Sequence, residues 1–126
     1  MRISRGFTLI ELIVVLAILA MLVTLALPRY MQSMDRSRDA VLKHDLSVMR
    51  DALDKYFGDQ GKYPETLEEL VTRRYLRRIP DDPVTESAQT WVLVPPPATA
   101  TGGGKIYDIK SGATGKALDG SDYAEW

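Results

Sequence analysis

A chain of 126 residues, 45% hydrophobic and 26% charged, has room for one small domain and one long helix and is too apolar for general disorder. With 16 Lys and Arg against 17 Asp and Glu, the net charge of -1 supplies no basic surface to neutralise phosphates, so nucleic acid is not an expected partner. The absence of cysteine excludes disulfides and thiolate metal sites. A single histidine, with no supported nucleophile and no Gly-rich phosphate loop after a strand, argues against an enzyme.

The first six residues, Met1-Arg2-Ile3-Ser4-Arg5-Gly6, are basic and carry no acid. From Phe7 to Leu27 follows an apolar run whose single ionisable side chain is Glu11. At roughly 20 residues and about 30 Å as a helix, this run spans a bilayer. Basic residues before it predict a cytoplasmic N-terminus, with the rest of the chain beyond the membrane and Arg29 and Tyr30 at the interface. The alternative is a secretory signal peptide cut near Thr24-Leu25-Ala26. Against it stand the length of the run, beyond an h-region of about 7 to 15 residues, and the early carboxylate.

An ionised carboxylate in hydrocarbon costs about 2.5 to 3.5 kcal/mol on insertion scales. Glu11 therefore calls for a partner, and no Lys, Arg or His lies between Arg5 and Arg29. A cut after Gly6 would create an α-amine on Phe7, of opposite sign and at membrane depth. Pairing of that amine with Glu11 across subunits would neutralise both charges and set the register of neighbours. The alternative is a Glu11 that snorkels to the nearby headgroups.

The stretch Arg5-Gly6-Phe7-Thr8-Leu9-Ile10-Glu11-Leu12 closely resembles the class III leader of type IV pilins and of the pseudopilins of type II secretion. The resemblance implies that a prepilin peptidase cleaves between Gly6 and Phe7 and methylates the new amine of Phe7. It also implies that Glu11 pairs with that amine on an adjacent subunit. Pro28 stands where the family has a proline that bends or loosens the helix. The expected division is a cytoplasmic leader peptide over 1–6, a transmembrane and filament-core helix over 7–29, and a periplasmic or extracellular globular domain over 30–126.

Beyond Pro28, Leu42, Leu46, Met49, Leu53 and Tyr56 recur at steps of four and three, with Phe57 beside the last, an amphipathic stripe. Asp35, Arg36, Arg38, Asp39, Lys43, Asp45, Arg50, Asp51, Asp54 and Lys55 fill the other face, and His44 reads as a surface residue. Gly58 and Gly61 end the pattern, predicting one nearly continuous helix from about Thr8 to Phe57. Thr66 followed by Glu69 is a capping box opening a short helix, with Leu67, Leu70 and Val71 packing on the long one. Tyr75 to Pro83 is extended or turning. Trp91 to Val94 and Lys105 to Ile109 read as strands of a small antiparallel sheet, separated by a loop from Pro95 to Gly104. The proline triplet there is a connector, with a polyproline ligand as the weaker alternative. The fold class is α+β, the pilin fold: a long N-terminal helix packed on a short helix and a small antiparallel sheet.

The stretch from Lys62 to Pro83 is similar to the major, G-type pseudopilins, with Val84 where that family commonly has an aromatic. In the tail, Ser111 to Trp126, small residues and carboxylates are the ingredients of an oxygen-rich calcium loop without the EF-hand spacing. The G-type resemblance implies Asp119 and Asp122 as calcium carboxylates. Thr114 replaces an earlier Asp, which should weaken or abolish binding. The alternative is a turn at Asp119-Gly120 and a Trp126 that plugs the core of the sheet. No cofactor is required for assembly.

These readings converge on a structural subunit of a type II secretion pseudopilus, a helical homopolymer that drives protein secretion. Its expected partners are the membrane before assembly, the prepilin peptidase, an inner-membrane assembly platform and minor pseudopilins, and its location is the inner membrane as a single-pass protein. A subunit of a type IV surface or competence pilus is the alternative, disfavoured because the tail lacks a cysteine-bridged loop. A single-span tether for a periplasmic module is a third reading.

Overall fold

The structure is a computed structural model that describes residues 3–126. It divides into two compact units, one ending at Asp35 and the other spanning Arg36–Trp126. Helix α1 runs over Leu9–Gln60, 52 residues, with its portion up to Asp35 in the first unit.

In the first unit the side chains of α1 are exposed throughout. Pro28 lies inside the helix. Lacking an N–H, it leaves the Thr24 carbonyl without its helical donor. One turn earlier the Thr24 hydroxyl donates back to the Ala20 carbonyl at 2.8 Å.

In the second unit α1 buries the expected stripe. Leu42, Leu46, Met49, Leu53 and Tyr56 are 0–2% exposed. Gly58 lies within the helix rather than ending it. The stop is Gly61, whose φ of 70° places it in the left-handed region while its amide donates to the Phe57 carbonyl at 2.8 Å. Phe57 stacks on Tyr63 with centroids 4.5 Å apart, covering the turn.

Helix α2, Leu67–Thr72, starts at the N-cap Thr66, whose hydroxyl accepts the Glu69 amide at 3.3 Å. The Glu69 carboxylate reaches back to the Glu65 amide at 2.9 Å, one residue before the box position. Its other oxygen accepts the Tyr56 hydroxyl at 2.6 Å, fastening α2 to α1. Leu67 and Leu70 join the core, and Val71 packs against it.

Strands β1, Val92–Val94, and β2, Asp108–Lys110, form a two-stranded antiparallel sheet in which Leu93 faces Ile109. β2 begins at Asp108 rather than Lys105. The amides of Lys105 and Ile106 both donate to the Pro64 carbonyl at 3.1 Å, so that stretch is anchored to the loop before α2 instead of pairing as strand. Trp91, Ile106 and Ile109 complete the core, and the Trp91 indole donates to the Pro80 carbonyl at 2.8 Å. The chain thus has the expected α+β architecture.

Two buried acids bind segments of the unit to one another. Asp82 is fully buried; its carboxylate accepts the amides of Val84 at 2.8 Å and Thr85 at 3.3 Å and the hydroxyl of Ser111. Asp39, expected on the charged face, is instead 9% exposed. It precedes Leu42 by three positions and so continues the buried stripe by one turn.

Candidate functional site

At the N-terminal end, Gly6 and Phe7 are exposed and precede the helix in non-helical backbone. A Cβ added to Gly6 would meet nothing within 4 Å, so local packing does not demand glycine there. Thr8 is the N-cap of α1. Its hydroxyl accepts the Glu11 amide at 3.2 Å while the Glu11 carboxylate accepts the Thr8 amide at 3.1 Å, a reciprocal capping box. A carboxylate in the first turn also meets the positive end of the helix dipole. Glu11 is exposed and holds these bonds through one oxygen, Oε2. Charge arithmetic, which looks for a cation, does not find this partner; the Thr-x-x-Glu spacing is the signal that does.

From Leu9 to Leu27 the helix presents apolar side chains on every side, with Leu9 75% and Leu25 69% exposed. The helix is long and apolar enough to cross a membrane. A helix that is hydrophobic all round is covered by lipid or by other protein. Met1 and Arg2 of the expected leader lie outside the described residues.

In the second unit the C-terminal loop closes onto α1. The Asp39 carboxylate accepts the Tyr123 hydroxyl at 2.6 Å and the Leu118 amide at 3.0 Å. One turn on, Lys43 Nζ lies 3.6 Å from Asp119 Oδ2 and 4.4 Å from the centre of the Trp126 ring. Asp119 Oδ1 accepts the hydroxyl and, at 2.9 Å, the amide of Ser121, an Asx turn completed by Gly120 at a φ of 87°. The Ser121 hydroxyl, then its amide, hold the Asp119 carboxyl below its ordinary range. Asp122 Oδ1 lies 3.8 Å from Lys116 Nζ. Trp126 is edge-on to Tyr123 at 5.2 Å and donates to Ser121 Oγ at 2.7 Å. It therefore packs, half-buried, against the margin of the core, close to the alternative reading of the tail, while Trp91 is the buried tryptophan. His44 is exposed on α1, as expected.

The family described as the prokaryotic N-terminal methylation motif matches residues 1–27. Over 141 aligned positions the chain is 30% identical to the type II secretion system core protein G of Aeromonas hydrophila, covering 99% of this chain and 94% of that one. The chain belongs to the type II secretion core protein G family. The core protein G of Escherichia coli is 31% identical over 140 positions, covering 98% and 91% of the two chains. That of Pseudomonas aeruginosa is 37% identical over 98 positions, covering 65% and 69%. No solved structure gives a significant match.

For a core protein G the tail raises the question of calcium, which takes six to eight oxygen ligands. Here Asp119 and Asp122 face two different ammonium groups, and Asp119 spends one oxygen on Ser121. Among the described residues no group of three or more His, Asp or Glu converges. The donor set, as arranged, does not fit a calcium ion.

Proposed function

We propose that the chain is a structural subunit of a type II secretion pseudopilus, cleaved after Gly6, N-methylated on Phe7 and polymerised through its apolar helix. The observation that carries this reading is the pairing of an all-round apolar, exposed helical segment with a single carboxylate at its first turn, in a chain related along nearly its whole length to core protein G. Before assembly the segment from Phe7 to Leu27 lies in the inner membrane, N-terminus cytoplasmic, with the domain beyond it outside. The exposed, non-helical Gly6–Phe7 bond is an accessible substrate for the prepilin peptidase, and the open space at Gly6 supports a demand for glycine that comes from the peptidase rather than from the fold.

Cleavage frees the Phe7 amine. Glu11 Oε2 is held by Thr8, and the carboxylate receives the methylated ammonium of a neighbouring subunit as the chain is extracted into the filament. Charge pairing sets the axial register and apolar packing supplies cohesion. The assembly platform and the minor pseudopilins act on the same subunit, and no cofactor is needed.

The test is the intact mass of the membrane-extracted protein from cells that hold a prepilin peptidase. The reading predicts a chain that begins at Phe7 and is one methyl group heavier than its sequence. A chain that retains Met1 to Gly6 would return the protein to a single-span tether. Replacing Gly6 by a bulky residue should leave the leader attached.

A further inference from the structure

In a core protein G, a loop rich in small residues and carboxylates invites a divalent cation, yet here each candidate carboxylate faces an ammonium group of the chain itself. Lys43 stands at Asp119 and Lys116 at Asp122. The loop also has an anchor that owes nothing to a metal. Asp39, on α1, receives both the Leu118 amide and the Tyr123 hydroxyl, the two contacts bracketing Asp119 and Asp122 along the chain. Within the loop, the Ala117 amide donates to the Ser121 carbonyl at 2.8 Å and the Gly120 amide to the Ala117 carbonyl at 3.0 Å, closing the turn through its backbone.

We infer that the C-terminal loop of this subunit is closed by its own side chains, with Asp39 as anchor and Lys43 and Lys116 as internal counterions, so that its folding is independent of divalent cations. Exposed ion pairs contribute little each. The anchor is therefore the decisive contact: hydrogen bonds to a charged, largely buried acceptor are among the stronger ones. This inference concerns the stability of the loop and holds whichever filament the subunit builds.

The experiment uses the full chain in detergent, followed by tryptophan fluorescence on heating and by amide exchange of residues 115–126. The expected midpoint is the same, within about 1 °C, in chelator and in millimolar calcium. A specific ion at about 100-fold its Kd would instead raise it by roughly 10 °C or more, and a saturable rise of that kind overturns the proposal. Asp39→Ala should raise exchange in the loop by about tenfold or more, and calcium should not restore protection. Unchanged exchange in that variant, or its rescue by calcium, would show that the anchor lies elsewhere. Asp39→Asn, which keeps one acceptor, should fall between the two, so that failure of the alanine variant to fold does not remove the test.

Discussion

Thr8 and Glu11 exchange hydrogen bonds at the start of the long helix, the carboxylate of one taking the amide of the other at 3.1 Å while the hydroxyl takes an amide at 3.2 Å. The acid at the head of the apolar segment is thereby a helix cap as well as a charge. The two roles separate by substitution. Glu11→Gln keeps an acceptor for the Thr8 amide but loses the charge, whereas Glu11→Ala loses both. Both variants should be cleaved normally, and both should lower filament yield by at least about tenfold, the loss of an ion pair in a low-dielectric setting. Filament yield, read by shearing and immunoblot, checks this. Normal fibres from Glu11→Gln would mean that capping, not charge, is what assembly needs.

Tyr56 and Glu69 join α1 to α2 through a bond of 2.6 Å. The Tyr56 hydroxyl, then the Glu65 amide, hold the Glu69 carboxyl below its ordinary range, and the Glu69 acceptor raises the tyrosine above its own. For Glu69, whose pKa is depressed on folding, the stabilisation is present above the unfolded value and is lost as the pH falls through the folded one. For Tyr56, raised on folding, it is present below the unfolded value and is lost as the pH rises past the folded one. Stability should be flat near neutrality and fall on both sides. Tyr56→Phe should lower stability by about 1–2 kcal/mol at neutral pH and make the acid decline shallower, measured by denaturant unfolding across pH.

The buried Asp82 serves three donors from two chain segments. Asp82→Ala should leave the part-buried amides of Val84 and Thr85 and the buried Ser111 hydroxyl without their acceptor and destabilise the domain by about 2–4 kcal/mol, read as a shift in urea midpoint. A shift no larger than that of a surface Asp would place its weight elsewhere.

Much of this was legible in the sequence, because it is local. The burial of Leu42, Leu46, Met49, Leu53 and Tyr56 follows from helical period, and the Thr66 cap from a four-residue pattern. The start of β2 was not legible, because the competing acceptor for Lys105 and Ile106 is the distant Pro64 carbonyl. Asp39 reads as a solvated acid, and Asp82 as one residue of a turning stretch, until their partners are known. The Tyr123 that captures Asp39 lies 84 positions away and the Ser111 that captures Asp82 lies 29 away. For the tail, the types of residue suggested a cation, whereas the arrangement pairs Asp119 and Asp122 each with a lysine.

Two glycines should respond in opposite directions. A Cβ at Gly112 would run into the Thr90 backbone, so Gly112→Ala should cost about 1–3 kcal/mol. Gly58 sits inside α1 with nothing near its Cβ position, so Gly58→Ala should stabilise by about 1 kcal/mol. Thermal midpoints of the two variants against the parent check both signs.

The central claim, that this subunit builds a secretion pseudopilus, is tested most directly by comparing the culture-supernatant proteome with and without its gene. The account predicts loss of particular folded exoproteins while surface fibres stay unchanged. An unchanged supernatant together with lost surface fibres, motility or DNA uptake would contradict it and make the chain a subunit of a surface or competence pilus.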